Sequence, residues 1–253
     1  MKYFSILFLS LVLIACKTET KTKVLSADAI IDKSIAISGG EIFNSEVVII
    51  KFKFRDIQYK STYTSEAKVL SRLIVKENDS IIDFLKGDLF QRYIDERPVE
   101  LEDSMVTKYS ASVNSVHYFS TLPFGLNDKA VNKKRFEYEK IKGKDYYKIK
   151  VTFNKDGGGE DYDDVFIYWI NKTSLKPDYL AYSYNEDDGV GMRFREAYNE
   201  RYIKGLRFVD YNNYKSENKD IKLADLGKAF NDDTLKLLSK IELENIEVEL
   251  IKK

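Results

Sequence analysis

The chain has 253 residues, with 41 Lys+Arg against 41 Asp+Glu, so no net charge draws it to nucleic acid and no basic run stands out. One cysteine and one histidine exclude a disulfide framework and His-rich zinc sites. Eighteen Tyr and fifteen Phe beside only three Pro suit a large twisted sheet, and the length suits one substantial core.

Lys2 opens the chain with a positive charge, and Tyr3 to Ile14 is an almost unbroken apolar run. Leu13-Ile14-Ala15-Cys16 closes it, with a small residue just before the cysteine. That order predicts a secretory signal over residues 1–15. The run falls short of the ~20 apolar residues of a membrane span. Its end resembles the bacterial lipobox. The resemblance implies diacylglyceryl transfer to the Cys16 thiol, cleavage before it and acylation of the new amine. Each buried methylene contributes ~0.8 kcal/mol, so two or more chains anchor stably where one binds reversibly. The alternative is an ordinary signal peptide that carries a cysteine near its end. Lys17 stands where an inner-membrane retention signal would place Asp, by resemblance to the known sorting rule. The expected location is therefore the cell envelope, lipid-anchored at the outer membrane, on its periplasmic or surface face.

Residues 16–25 read as a lipidated polar tether and 26–253 as a single domain. Ser26 has the character of an N-cap. Ala29, Ile30, Lys33 and Ile37 follow a helical repeat over about 27–38, which Gly39-Gly40 end. The period then changes to two. Val48, Ile50, Phe52 and Phe54 share one face, and Lys51, Lys53 and Arg55 the other. Strands follow near 58–66, 68–76, 80–85 and 89–94, with turns at Asn78-Asp79 and Gly87-Asp88, and Pro98 ends the block. Val106, Tyr109, Val113 and Val116 recur at helical spacing over 101–121, before Pro123-Phe124-Gly125. Tyr147, Ile149, Val151 and Phe153 alternate with polar residues as a strand. Val165–Ile170 is apolar on both faces, which predicts a central strand covered on both sides. Tyr179–Tyr184, Met192–Tyr198 and Tyr202–Tyr211 continue the sheet. After a polar stretch, Leu235–Leu250 is mostly strand, with a phase shift that predicts a β-bulge near Asn245.

This order of elements resembles the periplasmic lipoprotein carrier and its outer-membrane acceptor, as does the opening Ala27-Asp28-Ala29-Ile30-Ile31 to Gly39-Gly40. The resemblance implies a mainly β (α+β) fold: a curved, antiparallel, unclosed β-barrel. An N-terminal helix and a midchain helical insertion would pack on its concave face, with acyl chains bound between sheet and helices. More locally, Ser115-Val116-His117-Tyr118-Phe119, Leu122-Pro123-Phe124-Gly125-Leu126, Asp156-Gly157-Gly158-Gly159 with Asp161-Tyr162, and Arg193-Phe194-Arg195-Glu196-Ala197-Tyr198-Asn199 look like a family of uncharacterised lipoproteins, a domain of unknown function of the Gram-negative outer-membrane type.

Candidate chemistry is sparse. A Ser-His hydrolase would have to use His117 with Ser115 or Ser120, yet no Gly-x-Ser-x-Gly elbow is present. The prevailing reading of His117 is a hydrogen-bonded packing residue. Asp156-Gly157-Gly158-Gly159-Glu160-Asp161 lacks the Gly-Lys-Ser/Thr ending of a phosphate loop and reads as a hairpin tip. In an up-and-down sheet the acidic tips at 155–164 and 185–191 share one end, and Lys142, Lys144, Lys172 and Lys176 lie at the other. Asp161, Asp163, Asp187 and Asp188 would be the carboxylates available to a hard cation, but their spacing matches no calcium loop, so no metal or cofactor is assigned.

The leading expectation is a non-enzymatic binding protein for an acyl chain or other apolar ligand, held to the membrane by its N-terminal lipid, with protein partners undefined. Val48, Ile50, Phe52, Phe54, Tyr147, Ile149, Val151 and Phe153 are the candidates for the cavity's sheet face, and Val113 and Val116 for its helical lid. The alternatives are an exported hydrolase acting on lipid or glycan, and a scaffold subunit of an envelope complex.

Overall fold

The computed structural model describes residues 24–77, 79–158, 162–186 and 189–253. The segment expected as a signal (1–15), Cys16 and the expected tether to residue 23 lie outside them, as do Asn78 of an expected turn and Gly159, Glu160, Asp161, Asp187 and Asp188 of the expected acidic tips.

Helix α1 (Ala27–Ile37) begins where the Ser26 hydroxyl accepts the Ala29 N–H at 3.1 Å, satisfying one of the donors a helix start leaves open. It buries Ile30 and Ile31 completely. The chain leaves it through Gly39, at φ 89, where any β-carbon would stand 2.1 Å from the Gly205 carbonyl oxygen. A short helix α2 (Ile42–Ser45) leads into the first sheet.

That sheet is built from β1 (Glu46–Phe54), β2 (Ile57–Tyr63), β3 (Lys68–Lys76), β4 (Asp79–Lys86), β5 (Leu89–Ile94) and β6 (Arg97–Val99), joined as consecutive antiparallel hairpins. Pro98 ends the block as the sequence predicts, within the short outer strand β6, an edge position where proline is tolerated. Helix α3 (Asp103–Ser120) crosses over this sheet, packing on β3 and β4.

The second sheet holds β7 (Val131–Arg135), β8 (Glu139–Ile141), β9 (Lys144–Phe153), β10 (Val165–Asn171), β11 (Pro177–Glu186), β12 (Gly189–Ile203), β13 (Leu206–Lys215) and β14 (Lys236–Ile241). Both faces of β10 are buried. Phe166, Tyr168 and Ile170 pack with Ile30 and Ile31 of α1, whereas Ile167 and Trp169 pack on the opposite side with Leu226 and Phe230. Those last two belong to a 3-10 turn and short helix α4 (Leu223–Asn231 together), inside what reads in sequence as a polar stretch. Six helical residues are too few for a helical period to emerge. Strands β7 and β8 also go beyond the sequence reading, which begins this sheet near Tyr147; both are short and rich in Lys and Arg.

The last segment couples the sheets. Strand β14 pairs with β13 in the second sheet, and after Glu242 and Leu243 the chain continues as β15 (Glu244–Lys252), which pairs with β1 in the first. Lys51 faces Glu247 but Lys53 faces Glu244, so β15 carries one extra residue there, and Asn245 takes φ 51. This is the β-bulge that the phase shift predicts. The fold is mainly β with few helices, and the two antiparallel sheets do not close into a barrel. No helix among the described residues is long and apolar enough to cross a membrane.

Candidate functional site: a cavity beneath helix α3

A cavity of about 710 Å³ lies between the two sheets and the C-terminal half of α3. The first sheet contributes Phe54, Tyr63, Leu70 and Leu85; the second contributes Phe153, Phe166, Tyr182 and Tyr211. Residues 110–112 and 114–120 of α3, with Thr121 just after it, form a third wall, and Ile241 and Leu243 of the sheet-joining segment a fourth. The exposed hairpin residues Arg55, at one end of the first sheet, and Gly87 and Asp88, at the other, also border it, so the cavity reaches the surface. The volume is in the range of small-molecule sites, and a mostly apolar wall with a few polar groups is their usual makeup.

The sequence candidates separate into two groups. Phe54, Val116 and Phe153 line the cavity. Val48, Ile50 and Phe52 are instead packed in the core that α2 closes with Phe43, and Val113 is fully buried against Leu70 and Leu85. Ile149 and Val151 are fully buried against α1, with Tyr147 packed beside them. The alternating faces are therefore inward, but along most of their length side chains fill the space that the cavity would need.

His117 borders the cavity and is 1% exposed. Its Nε2–H donates to the Ser71 carbonyl at 3.0 Å, which ties α3 to β3 and fixes the tautomer. The ring stands edge-on to Phe52 and Tyr59. Nδ1 is buried with no partner among the described residues. Burial, helped by Lys68 and opposed by the Ser71 bond, pushes the ring down to about 4, so it is neutral at physiological pH. The neighbouring hydroxyls do not engage it. Ser115 Oγ donates to the Ser112 carbonyl and Ser120 Oγ to the His117 carbonyl at 2.8 Å.

Two further charges stand at the rim. Loss of solvent lowers the Lys68 ammonium and raises the Asp128 carboxyl, while each acts to keep the other charged. Deeper in, the hydroxyls of Tyr118 and Tyr168 share a 2.6 Å hydrogen bond, and burial raises both above the ordinary phenol range.

The polar residue that sequence reasoning misses is Arg195, 8% exposed on β12 and facing the cavity. Its guanidinium carbon lies 3.7 Å from the centroid of the Phe119 ring, with the Tyr182 ring at 5.0 Å. One nitrogen, Nη2, donates to the Tyr182 hydroxyl at 2.8 Å. The signal that could have found it is the doubly apolar run of β10. On β12, two places away in the same sheet, Phe194 and Arg195 are buried side by side, so a charge at that point needs an account.

At the opposite end of this sheet, Lys142 pairs with Asp233 at 2.6 Å and Lys176 with Glu200. The lysines expected to form a basic rim are therefore compensated in part.

A model for a family described as a family of unknown function (DUF6503) matches residues 2–244 of the chain. No curated protein matches it. Among solved structures, a LolA superfamily protein of Nitrosomonas europaea is similar at 12% identity and TM-score 0.47, with 91% of this chain and 95% of that one covered. A DUF1329 family protein of Desulfovibrio piger is similar at 10% identity and TM-score 0.45, with 90% and 94% covered. Likenesses of this size say nothing about function.

Proposed function

This chain belongs to the DUF6503 family, a family of unknown function, and we propose that it is a lipid-anchored envelope protein that binds an acyl chain or other apolar ligand without transforming it. The observation that carries the proposal is the cavity of about 710 Å³ beneath α3, with aromatic and aliphatic side chains from both sheets in its wall and exposed hairpin residues at its border. A cavity of this kind forgoes packing that the core could otherwise make, and an apolar occupant restores it. The anchor would be acyl chains on Cys16, with residues 17–25 as the spacer between membrane and domain. A hydrolase would need an activated nucleophile, and neither Ser115 nor Ser120 is hydrogen-bonded to the His117 ring.

The test is native mass spectrometry of protein purified from membranes without lipid stripping. A bound mass of lipid size, absent from an Ala111→Trp variant of unchanged melting temperature, supports the reading. Ala111 lines the cavity from α3 and is only half-buried, so an indole there has room to occupy the ligand's space. Protein that carries no lipid, and takes up none when offered palmitate or phospholipid, would overturn it.

A further inference from the structure

The cavity wall is not apolar throughout, and its one deep charge has no counter-ion. Arg195 forms no ion pair among the described residues. Its single side-chain hydrogen bond goes to a neutral hydroxyl, that of Tyr182. Its Nε is buried without an acceptor, and its Nη1 has none either. The residue directly opposite on β13 is Asn213, also on the cavity wall and 7% exposed. The Asn213 amide reaches Ser239 Oγ on β14 at 3.2 Å, leaving Oδ1 buried with no donor. Arg195, Asn213 and Ser239 thus form a polar row across three strands on the second-sheet wall of a cavity that also holds the rings of Phe119, Phe153, Phe166, Tyr182 and Tyr211.

A guanidinium cannot shed its proton, so burial does not neutralise it. The faces of Phe119, Tyr182 and Tyr211 offset part of its lost hydration, with ring centroids at 3.7, 5.0 and 5.8 Å. Ring faces supply no hydrogen-bond acceptor in the guanidinium plane. Elsewhere in this protein buried arginines do have carboxylates. Arg72 and Arg92 both contact Asp83 at 2.7 Å, and Arg207 contacts Glu200 at 2.8 Å. Arg195 is the exception, and it is the one of the four that lines the cavity.

We propose that Arg195 is the head-group site of the cavity, and that the ligand is an anionic amphiphile whose acid group meets this guanidinium while its apolar tail lies along Phe119, Phe166 and Phe153. The Asn213 amide, with an unfilled position beside it, would receive a hydroxyl of the head group or a water bound to it. The inference rests on the cavity being an apolar ligand site and narrows what enters it. A carboxylate and a phosphate share the required chemistry: two or more in-plane oxygen acceptors for a planar fork of donors.

The experiment titrates delipidated full-length protein with three probes, namely palmitate, its methyl ester and dipalmitoyl phosphatidic acid, each competing against a fluorescent fatty-acyl reporter. Charge-assisted hydrogen bonds should make at least one acid bind about ten-fold tighter than the ester. In Arg195→Met that preference should fall to within about two-fold. Arg195→Gln can keep the Tyr182 bond and serves the same purpose if the methionine variant does not fold. Stronger binding of palmitate than of phosphatidate identifies a free fatty acid, and the reverse a phospholipid. Equal binding of acids and ester by the wild type, or a preference that survives loss of Arg195, overturns the head-group assignment while the cavity reading stands. If none of the three probes binds, the cavity reading itself falls.

Discussion

Asp210 Oδ1 accepts the backbone N–H of Leu243 at 2.9 Å, at the point where the last strand leaves one sheet for the other. The same carboxylate takes Arg201 Nη2 at 2.9 Å and Asn199 Nδ2 at 2.6 Å, from the β12 irregularity between Tyr198 and Arg201. Arg201 in turn reaches the Leu243 carbonyl at 2.7 Å. One 3%-exposed carboxylate therefore joins two departures from regular pairing into a single node. Asp210→Ala leaves a guanidinium, an amide and a backbone donor without their acceptor. We expect a loss of roughly 3 kcal/mol, read as a lowered urea midpoint with unchanged slope.

The first sheet holds a second such node under α3. Asp83, fully buried, receives Arg72 Nε and Arg92 Nε at 2.7 Å each, and Arg92 Nη2 at 2.9 Å. Arg72 also donates to Ser112 on α3 at 2.8 Å, and Arg92 lies 3.6 Å from the centroid of the Tyr109 ring. Removing only the carboxylate, as in Asp83→Ala, should cost roughly 3–5 kcal/mol, because two buried cations then repel each other unpaired. Replacing all three by apolar residues of like volume should cost much less than that single change. Denaturant unfolding of both variants measures the difference.

Acid should loosen α3 through His117. The unfolded histidine binds a proton near its ordinary pH of 6.5, and the folded one only at about 4. The stabilising effect of keeping it neutral is complete above pH 6.5 and is lost as pH falls through the interval to about 4. Across that window the wild type should lose up to roughly 3 kcal/mol more stability than His117→Gln, whose amide can still donate to Ser71. Parallel stability–pH curves for the two proteins would show that His117 is not the group responsible.

Two glycines with positive φ should respond differently to alanine. Gly87, at φ 57, has nothing within 4 Å of an added β-carbon, so Gly87→Ala carries only conformational strain, about 1 kcal/mol. At Gly39 the new atom would meet the Gly205 carbonyl at 2.1 Å, in backbone that also ties Arg207 N–H to the Ser38 carbonyl. Gly39→Ala should therefore cost at least about 3 kcal/mol and detach the end of α1, seen as faster amide exchange in 27–37.

Anchoring has its own test. Cys16→Ser should release the protein from membranes or leave it unprocessed, measured by fractionation after a high-salt wash. A variant still firmly membrane-bound would place the anchor elsewhere.

The alternation in 48–54 and 147–153, the double-sided burial of 165–170, the two longer helices and the bulge at Asn245 all follow from local periods that a single chain displays by itself. A period of two or of 3.6 reports which face of an element avoids water, since that face is set by backbone geometry alone. It does not report what meets that face. Val48 and Phe54 share a side of one strand, yet Val48 is sealed by core and Phe54 borders the cavity. The difference depends on where α3 and the joining strand come to rest. The same limit hides Arg195: in sequence it is one cation among 41, and the segment Arg193-Phe194-Arg195 does not say which of its two arginines is buried. Its isolation appears only when β11, β13 and α3 surround it with aromatic rings and no carboxylate. Burial of a charge is a property of the assembled neighbours, and those are brought together by tertiary packing from Phe119 to Tyr211.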